Sequence, residues 1–135
     1  MLVLLDTNIC IHLINRRPGF ERVLRRLSGR SFGEVCISAI TASELHYGVA
    51  KSARKKENAA ALDEFLSRFE VLDYPVEAAR CYGSIRADLE RSGKPIGNND
   101  LLIAAHALAA GASVATANVK EFERVRGLKV SDWLT

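Results

Sequence analysis

Short apolar runs alternate with segments of helical periodicity along the chain, and this alternation is the strongest constraint on its fold. The run at residues 2–5 is typical of a buried strand, and Pro18 followed by apolar residues at helical spacing is typical of a helix. The same reasoning predicts strands at residues 2–5, 35–38, 70–74, 112–116 and 128–130. It predicts helices at residues 9–14, 18–29, 41–50, 54–68, 75–91, 98–110 and 118–124.

Strands separated by helices need crossover connections, so we expect an α/β fold with a mainly parallel sheet covered on both faces. The continuous apolar strand at residues 2–5 suits a central position in that sheet. Ligands bind such sheets at the carboxyl ends of the strands. Functional side chains are therefore expected at Asp6, at residues 38–44 and at residues 116–118.

Length and composition predict one ordered domain over residues 1–135. The chain has 135 residues, of which 48% are hydrophobic and 26% charged, enough to build a core without disulfides. No uncharged apolar stretch reaches the roughly 18 residues of a membrane span, and the N-terminal segment has no basic leader of a signal peptide. Cys10, Cys36 and Cys81 form no CxxC pair, so we expect small apolar side chains in a cytoplasmic protein.

Basic residues are concentrated in the first part of the sequence. Residues 1–60 contain 10 Lys and Arg against 5 Asp and Glu, whereas residues 61–135 contain 9 against 11. One cluster consists of arginines between residues 16 and 30, and the other consists of Lys51, Arg54, Lys55 and Lys56. A surface of this kind attracts a phosphate backbone, but a solvated helix face has the same composition. Charge alone leaves both interpretations open.

Two acids, Asp6 and Glu44, lie just after predicted strands. An acid at the end of a central strand is costly unless a cation or a helix cap compensates it. Asp6 could share the capping of the next helix with Thr7 and Asn8, which are N-cap residue types. Glu44 completes a capping box that begins at Thr41, in which its carboxylate would reach back to a backbone N–H. Both structural interpretations remain open beside a functional one.

A third acid, Asp100, lies in the first turn of a predicted helix that Asn98 or Asn99 would cap. The helix dipole favours a carboxylate at this position, which is again a structural interpretation. A parallel sheet, however, can bring the three acids together at one edge. Clustered carboxylates bind Mg²⁺ or Mn²⁺, and such an ion activates water and offsets charge on a phosphodiester.

Asn118 and Glu121 follow the fourth predicted strand and could complete this cluster. Glu121 has an equal claim to be a surface acid beside Lys120. The histidines form no ligand pair of recognisable spacing, so we expect structural roles for His12, His46 and His106. The sequence contains no GxSxG elbow, no GxGxxG and no P-loop, which leaves triad and nucleotide-cofactor chemistry without support.

Four phrases of the sequence resemble one family. They are residues 4–8 (LLDTN), 38–45 (SAITASEL), 95–107 (PIGNNDLLIAAHA) and 116–125 (TANVKEFERV). In this order and spacing they resemble the PIN domain, and more closely the VapC toxins of bacterial type II toxin–antitoxin pairs. Asp132-Trp133 near the end of the chain is also similar to VapC chains, so the resemblance spans essentially the whole sequence.

The resemblance implies a PIN-like three-layer α/β/α sandwich and a Mg²⁺- or Mn²⁺-dependent endoribonuclease. It places Asp6 and Asp100 as metal ligands and Glu44 as a ligand or as the residue that orients the attacking water. Many PIN domains carry another Asp after the fourth strand, where this chain has Asn118. Either Asn118 holds a water or phosphate, or Glu121 supplies the charge.

The resemblance also implies substrates and partners. These are structured RNA, often tRNA and in one branch initiator tRNA, a VapB-type antitoxin, and a homodimer within a larger complex that reaches operator DNA only through the antitoxin. Membrane association is not implied. Arg86, on the helix before Asp100, is a candidate RNA contact, as is the cluster of Lys51, Arg54, Lys55 and Lys56, although a solvated helix arginine is an equal interpretation of Arg86.

Two other classes of protein are alternatives to the ribonuclease. A non-catalytic PIN-like module would bind RNA or a protein, and a missing acid would favour it, but Asp6, Glu44 and Asp100 are all present. A phosphotransfer protein of the haloacid-dehalogenase type needs a second Asp two residues after the first, where this chain has Asn8. A response-regulator receiver needs an acid pair near the first strand, which Asp6 lacks.

Overall fold

Strands and helices alternate through residues 2–135, which are the residues that the computed structural model describes. The strands are β1 (Val3–Leu5), β2 (Val35–Ser38), β3 (Glu70–Leu72), β4 (Ser113–Thr116) and β5 (Val130–Asp132). The helices are α1 (Thr7–Ile14), α2 (Phe20–Leu27), α3 (Ala39–Ala50), α4 (Lys55–Leu66), α5 (Val76–Arg91), α6 (Asn98–Ala110) and α7 (Val119–Phe122). The predicted α/β class is confirmed.

The strands form one parallel sheet in the order β3-β2-β1-β4-β5. β1 lies at the centre, where Val3 is in register with Val35 of β2 and with Ser113 of β4. Parallel strands have both faces covered, which explains why β1 is apolar throughout. The carboxyl ends of β1, β2 and β4 consequently meet at one edge of the sheet.

Side-chain alternation along the strands builds a core on each face of the sheet. Leu4 and Cys36 belong to one core, together with apolar residues of α5 and α6. Val3, Leu5 and Ile37 point the other way, into a core completed by α1, α4 and Trp133, as the two-residue period of a strand requires. The result is the predicted three-layer sandwich.

Truncating the Leu4 side chain tests how far the stability of the protein depends on the central strand. Leu4 is fully buried, so we expect Leu4→Ala to lower the free energy of unfolding by about 3 kcal/mol through lost burial and a cavity. The denaturant midpoint should fall at constant slope. Val76, which is 86% exposed, provides the control, since Val76→Ala should stay within about 0.5 kcal/mol of the wild type. Equal midpoints for the two variants would contradict this account of the core.

Of the predicted N-caps, Asp6 of α1 is confirmed, whereas the predictions of Thr7 and Asn8 for α1 and of Asn98 or Asn99 for α6 were wrong. Asp6, rather than Thr7 or Asn8, caps α1 and accepts a hydrogen bond from the Thr7 N–H. Gly97 takes the N-cap position of α6, so Asn98 and Asn99 fall inside the helix and their amides are free for tertiary contacts.

The predicted capping box of α3 was wrong as well. β2 runs directly into α3, so the N-cap is Ser38, whose hydroxyl accepts the Ile40 N–H. Thr41 is buried inside the helix, and Glu44 bonds to Thr7 and Asn99 instead of reaching back to the backbone. The local pattern of polar residues was correct, but the point at which the strand becomes a helix was misplaced.

Some element ends also differ from the prediction. β5 covers Val130–Asp132 instead of residues 128–130, and β3 ends at Leu72. The register of β5 is set by β4, since Val130 pairs with Val114 and Asp132 with Thr116. Among the helices, α2 begins at Phe20 rather than at Pro18, because Gly19 adopts a left-handed conformation at the N-cap, and α7 is confined to Val119–Phe122.

The described residues contain neither a disulfide bond nor a helix that could span a membrane. Cys10 and Cys36 are buried and Cys81 is half-buried, and all three are free thiols, as their spacing predicts. None of the helices within residues 2–135 is both long and apolar enough to cross a bilayer.

Candidate active site

Asp6 lies at the carboxyl end of β1 and is 3% exposed. Its backbone N–H donates to the Ala115 carbonyl at 2.9 Å, which continues the pairing of β1 with β4. One carboxylate oxygen accepts the Thr7 N–H at 2.8 Å, and the other accepts the Thr116 hydroxyl at 2.7 Å. Burial raises the pKa of Asp6, while these two hydrogen bonds act to lower it. Asp6 therefore caps α1 from a buried position at the carboxyl edge of the sheet.

Glu44 is half-buried on α3 and is held from two other elements. The Thr7 hydroxyl donates to its Oε1 at 2.5 Å, and the Asn99 amide donates to its Oε2 at 3.0 Å. Thr7 begins α1 and Asn99 lies in the first turn of α6. The carboxylate of Glu44 is thereby fixed between α1, which Asp6 caps, and α6, which carries Asp100.

Asp100 is the most perturbed acid of the group. Its pKa is raised to about 7, first by burial and then by the negative charges of Asp6, Glu121 and Glu44. Each of these three carboxylates is thus near enough to Asp100 to repel its ionised form. The three acids predicted from the sequence do lie together at one edge of the sheet.

Glu121 joins the group from α7. Its Oε1 accepts the Gly97 N–H at 2.8 Å, and its Oε2 accepts the Asn118 amide. The Gly97 hydrogen bond is the main cause of the lowered pKa of Glu121. Glu121 therefore faces the N-terminus of α6, beside Asp100, instead of projecting outward as a surface acid next to Lys120. Asn118 lies next to Glu121 and holds it.

A divalent cation fits the chemistry of this donor set. No three His, Cys, Asp or Glu side chains within residues 2–135 are already arranged around one point as ligands. The four acids nevertheless converge from four elements, and the ion pairs found in residues 2–135 lie elsewhere. Carboxylate oxygens are the donors that Mg²⁺ and Mn²⁺ prefer, and the charges of the other three acids help to raise the pKa of Asp100.

His106 is a structural histidine, as predicted. It is buried on α6, and its Nδ1 lies 2.7 Å from the Ser38 hydroxyl, which caps α3. Its ring contacts the edge of Tyr74 at 5.6 Å between centroids. Burial lowers the pKa of His106, so the neutral ring links the helices that carry Asp100 and Glu44.

Sequence reasoning missed the residues that orient the carboxylates. Thr7 was considered only as a cap, and Asn99 only as an alternative cap, whereas both hold Glu44. Thr116 and Gly97 hold Asp6 and Glu121. Each of these four residues lies within three positions of one of the acids or at a strand end, which was the available signal.

The candidate RNA contacts are not part of the carboxylate cluster. The Arg86 guanidinium donates to Glu90 and to the Tyr82 hydroxyl. Lys51 lies over the Tyr47 ring and Arg54 pairs with Glu57. Lys55 and Lys56 are exposed at the start of α4.

Comparison with known proteins agrees with this geometry. The sequence profile of the PIN domain matches residues 3–128. Ribonuclease VapC2 of Rickettsia felis is 44% identical over 134 residues, which cover 98% of each chain. The chain belongs to the PIN-domain family. The tRNA(fMet)-specific endonuclease VapC of Shigella flexneri is 45% identical over 130 residues, which cover 96% of each chain.

A solved structure extends the agreement to the fold. The crystal structure of VapBC2 from Rickettsia felis bound to a DNA fragment from their promoter contains a chain that superposes with a TM-score of 0.89. The sequences are 43% identical, and the match covers 98% of this chain and 99% of the other. The chain is thus a member of the VapC ribonucleases, and the predicted enzyme class, a metal-dependent endoribonuclease toxin, is confirmed.

Proposed function

We propose that this PIN-domain ribonuclease cuts RNA at the carboxylate cluster of Asp6, Glu44, Asp100 and Glu121, with Mg²⁺ or Mn²⁺ as the cofactor. The observation that carries the proposal is the convergence of the four acids at one sheet edge, where burial first and then the charges of the other three raise the pKa of Asp100 to about 7. Such a cluster is stable in its ionised form only beside a cation. The bound cation would activate water and offset the charge of the phosphodiester.

The side chains have different tasks in this proposal. Asp6 and Asp100 hold the cation, because Asp6 is immobilised by two hydrogen bonds and Asp100 has the strongest need for a compensating charge. Glu44 is aimed by Thr7 and Asn99 and orients the attacking water or ligates the cation. Glu121 takes the fourth position, and Asn118 positions it with its amide.

The proposed substrate is structured RNA, with tRNA as the first class to test. The support comes from the Shigella flexneri relative, which is named a tRNA(fMet)-specific endonuclease and is 45% identical over 96% of the chain. Initiator tRNA is therefore the first individual substrate to examine. Cutting it would inhibit translation, which fits a toxin.

The proposed partner is a VapB-type antitoxin that neutralises the enzyme. The support is the similarity to a chain of the DNA-bound VapBC2 complex at 43% identity. By analogy, a toxin homodimer would join a larger complex, and operator DNA would be contacted through the antitoxin. The cytoplasm is the proposed location, since all three cysteines are free thiols and disulfides are rare in that compartment.

One experiment tests enzyme, cofactor and substrate together. The purified chain is incubated with total bacterial RNA in Mg²⁺, in Mn²⁺ and in EDTA, and the fragment ends are mapped by sequencing. We expect a discrete cut, in initiator tRNA or another structured RNA, that requires the metal. A folded, antitoxin-free chain that binds RNA without cutting it would instead support the non-catalytic module.

The hydroxyl of Thr7 provides a test of how Glu44 is positioned. Thr7→Val keeps the shape of the side chain but removes the donor to Glu44, so we expect cleavage to fall about 10- to 100-fold, the usual cost of losing such a partner. Thr7→Ser is the matched control, because it retains the hydroxyl. Steady-state cleavage of a defined RNA distinguishes them, and equal rates for the two variants would contradict the assigned role.

A further inference from the structure

A groove of about 590 Å³ lies between α5, the end of α6 and the segment after α7. Three exposed arginines line it: Arg80 on α5, and Arg124 and Arg126 after α7. The acid in its lining, Asp88, is paired with Arg91. We call this feature the arginine groove. Its net charge is positive.

The arginine groove is linked to the carboxylate cluster through Arg124. Arg124 follows Glu121 by three residues, and its guanidinium donates to the Pro95 carbonyl at 3.0 Å. Pro95 lies two residues before Gly97, whose N–H holds Glu121. One lining residue of the groove, Arg124, therefore contacts the segment that also holds Glu121 in the carboxylate cluster.

The floor of the arginine groove is aliphatic. Ile85 and Leu89 of α5 and Val125 are each at most 8% exposed at its base. The volume of the groove is within the range of sites that enclose small organic ligands, about 300–1,000 Å³. A positively charged groove can follow the backbone of single-stranded nucleic acid, and the aliphatic floor offers apolar surface to a base or ribose.

We infer that the arginine groove binds a single-stranded segment of the RNA substrate adjacent to the cut. Arg80 and Arg126 contact phosphates, and a base or ribose covers the aliphatic floor. The inference rests on the proposed function and adds to it the path of the RNA. Phosphates need cations near the site, because the carboxylate cluster itself repels them, and Arg86 is already engaged with Glu90 and Tyr82.

Charge reversal in the arginine groove tests the inference. We expect Arg80→Glu/Arg126→Glu, made in an Asp100→Asn background that cannot cut, to weaken RNA binding at least about tenfold at 0.1 M salt. The slope of log affinity against log salt should fall by about 1.4, which corresponds to two lost phosphate contacts on a single strand. The matched control is Arg68→Glu/Lys129→Glu, which makes the same change of net charge at exposed positions outside the groove and outside both basic clusters.

A thiol in the groove provides a second readout. Cys81 lines the arginine groove and is half-buried, whereas Cys10 and Cys36 are buried. A photo-crosslinker attached to Cys81 of the native protein should therefore form adducts with nucleotides next to the mapped cut. Adducts at scattered RNA positions would overturn the inference.

The outcomes separate this inference from the proposed function. A wild-type chain that neither binds nor cuts RNA overturns both. If the wild type cuts RNA and the Arg80/Arg126 variant binds it as tightly as the control does, only the arginine groove assignment fails. The same holds if the reversal leaves RNA binding intact but dissociates a homodimer, which would make the groove a protein interface.

Discussion

Asp6→Asn and Asp100→Asn are each expected to lower RNA cleavage about a thousandfold or more while the fold is kept. The cation of a nuclease site stabilises transition-state charge by several kcal/mol, and about 4 kcal/mol corresponds to a thousandfold in rate. Asparagine preserves the shape of the side chain but removes the charge that holds the cation. Cleavage of a defined RNA under single-turnover conditions measures the loss.

The control for these variants is another acid of similar size outside the cluster. Asp63 is exposed on α4, so Asp63→Asn should cut at the wild-type rate. Circular dichroism and thermal melting verify that all three variants are folded. A folded Asp6→Asn protein with wild-type activity would contradict the proposed active site.

Stability in the absence of divalent cations should depend on the carboxyl of Asp100. Its pKa is about 7 in the folded protein and 3.8 in the unfolded chain, so the folded state retains the proton longer. The contribution of the Asp100 carboxyl to the free energy of unfolding is complete below pH 4 and is lost as the pH rises through 7. In EDTA, the Tm of the wild type should therefore fall relative to Asp100→Asn between pH 5 and pH 8.

Comparison with Asp100→Asn isolates this effect from other groups. Burial lowers the pKa of His106, which makes stability rise with pH near its ordinary value of 6.5 and opposes the trend. The lowered pKa of Glu121 changes stability at a pH more acidic than the range of this experiment. Because His106 is present in both proteins, the difference in Tm reports on Asp100 together with its interaction with Glu121.

Mg²⁺ should reverse the loss at pH 8. At ten times its Kd the cation adds about 1.4 kcal/mol, which for a chain of this size is about 5 °C in Tm. The increase should shrink at pH 5, where Asp100 is protonated, and should nearly vanish in Asp100→Asn. An equal increase at both pH values, or in both proteins, would contradict binding at the carboxylate cluster.

Most of the layout could be predicted because it depends on local pattern and on general rules of parallel sheets. The apolar run of β1 predicted a central strand, and the acid behind it predicted a site at the carboxyl edge. The wrong predictions concern positions where a tertiary contact determines the end of a helix or strand. Ser38 caps α3 because β2 runs straight into the helix, and β5 begins at Val130 because it pairs with β4.

The sequence by itself determined which acids this protein has and where they stand relative to its strands, because residue type and periodicity are local properties. Only the tertiary structure decided the direction of the Glu121 side chain. Glu121 faces Asp100 because the Gly97 N–H, 24 positions earlier in the chain, holds its carboxylate at 2.8 Å. The direction of a polar side chain depends on the hydrogen-bond partners that folding brings to it, and those partners are distant in sequence.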